Sequence, residues 1–241
     1  MLVGRALPPH IIVMFKLTPI LLAALYALVM AKFSAWNTRR TLDAQSSLLD
    51  DPALHRLNDD MAKALDLPQI RVHIYEIEPV NGLAAPDGRI FLTRGFFNKY
   101  KKGEVTAPEL ASVIAHEMGH VALGHSRRRM IDFTGQNAIR AVLMGVLGRF
   151  IPIGGAWIAN MLTSMLAARL SRQDEYEADA YASALLTKSG IGTAAQKSMF
   201  RKLDALTKQG GATPPAWLMS HPKTEERIKA IEANEAKWHV T

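Results

Sequence analysis

The residues best suited to chemistry in this chain of 241 residues form the run His116-Glu117-Met118-Gly119-His120. Two histidines four residues apart project from one face of a helix, so their imidazoles converge on a point where one Zn²⁺ can bind. Glu117 would lie beside that metal, where a carboxylate can accept a proton from a bound water. The spacing predicts a hydrolytic centre with one zinc ion per chain and Glu117 as the general base.

The same five residues can also arise as a polar stripe on an ordinary helix. The flanking segments 112–115 and 121–123 are uncharged, which predicts that the helix is buried. Buried imidazoles and a buried carboxylate are energetically costly when they lack partners. A bound metal would remove that cost, and the flanks therefore favour the metal site.

A catalytic zinc site has three protein ligands and one open position, so a third ligand is required. The metzincin pattern would place a glycine and a histidine where this chain has Leu123 and Ser126, and His125 is one position off. The alternative is a glutamate from a second helix, predicted to begin near residue 171. That helix supplies Glu175, with Asp179 four residues further along the same face. We predict Glu175 as the third ligand.

The elements that must position these residues follow from hydrophobic spacing and from turn and capping signals. Together they predict an α+β fold that is mostly helical, with a small antiparallel sheet edging the cleft and one N-terminal hydrophobic helix. The predicted segments are helices over 52–65, from Thr106 toward Gly124, over 138–170 in two parts, from 171, over 193–206 and over 224–237, with strands at 70–75 and 89–93.

Four patches of the chain, spread over about residues 80–228, form a recognisable set: Asn81 with Pro86 and Gly88, His116 to His125, Ser171 to Ala180, and Ser220-His221-Pro222 with Arg227. Together they resemble the HtpX-like membrane zinc metallopeptidases, which include the CAAX prenyl proteases. The resemblance implies a zincin-like metalloprotease domain in which zinc is held by His116, His120 and Glu175. It also implies that Glu117 is the general base.

The resemblance also implies roles for residues outside the metal ligands. Asp179 would be a catalytic residue, as a proton donor or transition-state stabiliser, although an aspartate at this spacing can instead hydrogen-bond a metal-bound histidine. His221 would hydrogen-bond the tetrahedral intermediate, or it would only order the loop before the last helix. Arg227 would form a buried ion pair near the site.

The segment 81–86 resembles the edge strand with which the family binds an extended substrate by strand addition. Asn81 and Ala84 are the substrate-binding residues that this resemblance implies. Gly82 and Leu83 stand where the family usually has Ala and Phe, so the pocket beside the scissile bond is expected to differ. The alternative is a plain loop before a hairpin.

An apolar stretch at the N-terminus, residues 11–31, is interrupted only by Lys16 and Thr18. We expect residues 1–36 to be an uncleaved membrane anchor, with a cleaved signal segment as the alternative, and residues 37–241 to be the catalytic domain. Basic residues flank both ends of the stretch, so their distribution does not predict which compartment the domain faces. Membrane lipid is thus an expected partner of the N-terminal helix.

A second apolar stretch, 141–170, lies between the two halves of the predicted zinc site. Arg149, Pro152 and a glycine pair divide it into pieces too short to cross a bilayer singly. We predict a helical hairpin that covers the cleft or rests on lipid. The alternative is ordinary packing in the core.

Composition excludes several other classes of function. The chain has no cysteine, which excludes a thiolate ligand or nucleophile, and its net charge of +7 is scattered, without the interleaved aromatic residues that nucleic-acid binding favours. A prenyl-processing chamber would need several membrane spans.

The prediction is an endopeptidase of the quality-control type, acting on unfolded or membrane-proximal polypeptides. A metal-bound, non-proteolytic chaperone or binding module is the alternative.

Overall fold

The structure, a computed structural model, describes residues 9–85, 87–151, 155–209 and 224–238. The chain divides into two compact units, Met1–Gln45 and Ser46–Thr241. Helix α1 (Pro9–Ala44) belongs to the first unit. Across the described residues, no helix has both the length and the apolar character needed to cross a membrane. The anchor over residues 1–36 stays a prediction.

The second unit has a mostly helical α+β architecture, as predicted. A small four-stranded sheet lies among seven helices in the part of this unit that the structure describes. Most predicted segments are present, while β1 and α3 were not predicted. The elements are β1 Ser46–Leu48, α2 Pro52–Ala64, β2 Val72–Tyr75, β3 Gly82–Ala84, β4 Ile90–Thr93, α3 Arg94–Lys101, α4 Ala107–Ala122, α5 His125–Phe150, α6 Gly155–Lys188, α7 Ala194–Gln209 and α8 Thr224–Trp238.

The sheet is mixed, so the prediction of a purely antiparallel sheet was wrong. Its strand order is β1-β2-β4-β3, with β4 parallel to β2 and antiparallel to β3. After β2 the chain runs to the outer edge of the sheet and forms β3. A tight turn then brings the chain back as β4, which lies between β2 and β3. Gly88 has a φ of +85° in this turn, a conformation that glycine adopts without a steric penalty. The intervening edge strand makes β2 and β4 parallel.

Helix α4 begins at a capping box and runs through the centre of the core. The Thr106 side chain accepts a hydrogen bond from the Glu109 N–H at 3.4 Å, and the Glu109 carboxylate accepts one from the Thr106 N–H at 2.7 Å. Leu110, Ile114 and Ala115 are fully buried. The predicted buried helix is therefore confirmed, and its polar residues lie inside the protein.

Helices α5 and α6 pack against one another as the two arms of a hairpin, as predicted. Helix α6 continues without interruption past residue 171, where the sequence suggested a new helix. Ordinary core packing does not describe this hairpin, because many of its large apolar side chains are exposed. They are Ile139, Val142, Met144, Val146, Ile151, Trp157, Met161, Leu162 and Met165.

Candidate active site

Helices α4 and α6 bring the three predicted metal ligands together. The Nε2 atoms of His116 and His120 are 3.1 Å apart, as expected for histidines one helical turn apart on one face. The Glu175 carboxylate, from α6, lies 3.5 Å from each of these nitrogens. All three side chains are buried, and their ligand atoms lie within 4.8 Å of one another. The donors thus surround one point.

The spacing and chemistry of these donors fit a zinc ion. Tetrahedral zinc binds nitrogen and oxygen ligands at about 2.0–2.2 Å, which places neighbouring ligand atoms about 3.3–3.5 Å apart. The observed separations of 3.1 and 3.5 Å are close to that range. Two imidazoles and one carboxylate are also a ligand set that catalytic zinc uses.

The charges around this point also favour a divalent cation. Glu117, Glu175 and Asp179 are at most 3% exposed, and Arg227 is the buried arginine beside them in the described part of the chain. With neutral histidines, three carboxylates and one guanidinium leave a net charge of about −2, which is costly inside a protein. A divalent metal ion would balance it.

Asp179 and Arg227 form a buried ion pair behind His116, as predicted for the arginine. The Asp179 Oδ1 atom is 2.9 Å from His116 Nδ1, and the guanidinium of Arg227 donates to both carboxylate oxygens at 2.6 and 2.7 Å. Burial raises the pKa of Asp179, but Arg227 and His116 outweigh it and lower that pKa. Both carboxylate oxygens of Asp179 are therefore in hydrogen-bond contact, which is the geometry expected if Asp179 orients His116.

The same surroundings act on the imidazole of His116. Burial lowers the pKa of His116, but its hydrogen bonds with Asp179 and Glu175 outweigh burial and raise that pKa to about 9. The site therefore attracts positive charge. A metal ion and a proton would compete for it.

Strand β3 lies directly against the α4 turn that carries Glu117. A Cβ built on Gly82 would come within 2.8 Å of Val113 Cγ1 and within 3.6 Å of the Glu117 side chain. Gly82 therefore allows the strand to approach the general-base candidate more closely than other residues would permit. The absence of a side chain here fits the departure from the family pattern noted above.

The two predicted substrate-binding residues lie on or next to this strand. β3 is the last strand of the sheet, so it has one edge paired with β4, and Ala84 is partly exposed. Asn81 is fixed by Thr93, whose hydroxyl accepts from the Asn81 N–H at 3.0 Å. No donor among the described residues bonds the buried Asn81 Oδ1 atom. The segment is thus an edge strand, and its substrate role stays a prediction.

His221, the remaining predicted catalytic residue, lies outside the described residues. The last helix of the same patch is described, and it supplies Arg227 to the site. The Arg227 guanidinium stacks over Phe200 of α7, 4.4 Å from the ring centroid. Arg227 is thus the residue of the fourth patch that α8 brings to the site.

His125 ends the second patch of the resemblance and was given no role of its own, but the structure places it beside the site. Its Nδ1 atom lies 2.8 Å from Nδ1 of His120, and the side chain is fully buried. Helix α4 ends at Ala122, and Gly124, with φ +67°, turns the chain so that α5 begins at His125. Gly124 was the available signal, because a glycine after a helix often marks such a turn.

A zinc-type ligand triad with an adjacent glutamate, carried by two packed helices beside a sheet edge, defines a metallopeptidase centre. Residues 48–235 match the profile of peptidase family M48. The chain therefore belongs to peptidase family M48. The resemblance noted in the sequence is confirmed at the level of the family.

Individual relatives carry protease names. The metalloprotease LoiP of Escherichia coli is 30% identical over 162 residues, which cover 67% of this chain and 61% of LoiP. The mitochondrial metalloendopeptidase OMA1 of zebrafish is 25% identical over 186 residues (74% and 38%). The beta-barrel assembly-enhancing protease of Escherichia coli is 28% identical over 203 residues (78% and 40%). The chain thus spans less than two thirds of each of these relatives.

Proposed function

We propose that this chain is a zinc-dependent endopeptidase that hydrolyses peptide bonds within extended segments of polypeptides. The observation that carries the proposal is the convergence of three buried ligand atoms next to Glu117, at a sheet edge. His116, His120 and Glu175 would hold the zinc ion. The metal would polarise the scissile carbonyl and lower the pKa of a bound water.

Glu117 is the proton carrier in this proposal. It follows His116 on α4, and its side chain is buried. It would accept a proton from the attacking water and then deliver that proton to the nitrogen of the leaving amine. Asp179 and Arg227 would hold His116 in its ligand orientation during this cycle.

Strand β3 would present the substrate to the site. A polypeptide in extended conformation can pair its backbone with the outer edge of β3, which places a peptide bond near Glu117. Only segments without stable structure of their own can adopt that conformation. Unfolded proteins are therefore the proposed substrate class, in agreement with a quality-control role.

We further propose that the enzyme works close to a membrane. The exposed apolar side chains of the α5–α6 hairpin support this location, and Arg140 and Arg169 would favour anionic headgroups. An anchor over residues 1–36 is part of the proposal. Flotation with anionic vesicles would test it. A Trp157→Asp variant should float less, since Trp157 is 67% exposed. Equal absence of both proteins from the vesicle fraction would contradict the proposal.

The decisive experiment compares the purified chain with its Glu117→Gln variant on an unfolded test protein. Glutamine keeps the size of the side chain but cannot carry the proton, so cleavage should slow by roughly 10²–10⁴-fold. Zinc removal should abolish cleavage by the parent, and restored zinc should recover it. Internal cut sites, read by mass spectrometry, would establish endopeptidase action.

The alternative, a metal-bound binding module, predicts a different result. Parent and Glu117→Gln would then be equally inert, while both bind zinc and unfolded protein. The presence of Glu117 next to the ligands favours the enzyme, because a binding module would not need a proton carrier there.

A further inference from the structure

A second row of polar contacts leads away from the site through His125. His120 Nδ1 is 2.8 Å from His125 Nδ1, and His125 Nε2 is 3.2 Å from Glu177 Oε2. The Arg128 guanidinium then donates to the same Glu177 oxygen at 2.6 Å. His125 is fully buried, whereas the side chains of Glu177 and Arg128 are 31% and 41% exposed. The row therefore connects a candidate ligand to an ion pair at the surface.

A ligand role for His120 fixes the hydrogen positions along this row, and this step rests on the proposed zinc site. His120 faces the other donors through Nε2, so metal binding requires a lone pair there and leaves the ring hydrogen on Nδ1. His125 Nδ1 must then accept that hydrogen. The hydrogen of His125 consequently lies on Nε2, where the Glu177 carboxylate accepts it. Both imidazole N–H groups in the row then meet an acceptor.

We infer that His125 is a positioning residue, which orients the His120 ring and fixes its tautomer for metal binding. Metal-bound histidines usually donate their second N–H to a carboxylate, a carbonyl or water. Asp179 has that place behind His116. Behind His120 the acceptor is the imidazole of His125, which Glu177 holds in turn.

The same residues could be taken for a second metal site, because ligand atoms of His125, Asp174 and Glu177 lie within 4.8 Å of one another. Two observations oppose this. Arg128 already lies between the carboxylates, 3.2 Å from Asp174 and 2.6 Å from Glu177. A metal on His125 Nε2 would also move its hydrogen to Nδ1, where it would face the N–H of His120. The two metal sites are therefore mutually exclusive.

The test measures the zinc dissociation constant of metal-free protein by competition with a chromogenic chelator. His125→Ala removes the acceptor and should weaken zinc binding about 10–100-fold. His125→Asn keeps an acceptor near the position of Nδ1 and should stay within about three-fold of the parent. Glu177→Ala, which frees the far end of the row, should give an intermediate loss. The exposed His55→Ala is the matched control and should bind zinc like the parent.

The outcomes separate this inference from the proposed function. A parent that binds no zinc refutes the zinc site itself. A parent that binds zinc while His125→Ala binds equally well, or His125→Asn binds as weakly as His125→Ala, refutes only the positioning role. If metal-free His125→Ala does not fold, Glu177→Ala decides, and unchanged affinity in that variant refutes the role. Nitrogen NMR of the zinc-loaded parent should also show the His125 ring hydrogen on Nε2.

Discussion

Gly119 of α4 lies so close to Ala178 of α6 that a Cβ on the glycine would come within 3.0 Å of both the Cα and the carbonyl oxygen of Ala178. These contacts are with backbone atoms, which cannot rotate away. The glycine therefore sets the distance between the helix that carries His116 and His120 and the helix that carries Glu175.

Gly119→Ala should accordingly separate the two helices by a few tenths of an ångström and weaken zinc binding about ten-fold. The chelator competition assay measures this change. Gly135→Ala, in α5, is the matched control, because a Cβ there meets nothing within 4 Å. That control should bind zinc normally and be more stable by about 0.5–1 kcal/mol. Equal zinc affinity in the two variants would contradict the spacing role of Gly119.

Asp179→Asn distinguishes the two roles proposed for this aspartate. The amide oxygen can still accept the hydrogen bond from His116 Nδ1, but the charge that pairs with Arg227 is lost. If Asp179 orients the ligand, zinc affinity should fall together with kcat, and excess zinc should restore most activity. A proton donor would instead show a loss of kcat by at least about 10²-fold in zinc-saturated enzyme, with zinc affinity unchanged.

Gly82→Ala should lower kcat/KM because the new methyl group meets Val113 Cγ1 at 2.8 Å and pushes β3 away from α4. The effect should be about ten-fold for a long unfolded substrate. Adding Val113→Ala removes the obstructing methyl groups, so the double variant should recover activity relative to Gly82→Ala. If the double variant instead loses as much activity as the two single substitutions combined, the position of β3 does not depend on this contact.

The stability of α4 should depend on the ionisation of Glu109. Burial raises the pKa of this residue, but bonds from Lys202, Ser198 and the Thr106 N–H outweigh burial and lower that pKa. A lowered folded-state pKa means that the stabilisation is present above the unfolded value of about 4.3 and is lost as the pH falls through the folded value.

The Glu109→Gln variant isolates this charge, since glutamine can still accept the capping bond. Its free energy of unfolding should be lower than that of the parent by about 1–2 kcal/mol at pH 7. The difference should shrink as the pH falls below about 4, and denaturant titrations at several pH values measure it. A difference that stays constant down to pH 3 would contradict the assignment.

Much of the fold was predictable because its signals are local. The capping box at Thr106 and Glu109 fixed where α4 begins, and the three-to-four spacing of apolar residues marked α2 and α4. Pro152 and the glycines beside it predicted a break between two helices, and α5 ends at Phe150 while α6 begins at Gly155. Sheet topology was not predictable in this way, since strand partners are chosen by contacts between segments far apart in sequence.

The sequence by itself determined the chemistry of the centre, because an HExxH run on a helix places His116 and His120 on one face through the 3.6-residue period alone. It also supplied Glu175 as a carboxylate on a second helix. The tertiary structure decided which further groups reach the centre: Asp179 with Arg227, and His125 with Glu177. Those contacts depend on the close approach of α4 and α6 and on the turn at Gly124, which are set by packing between distant segments rather than by local spacing.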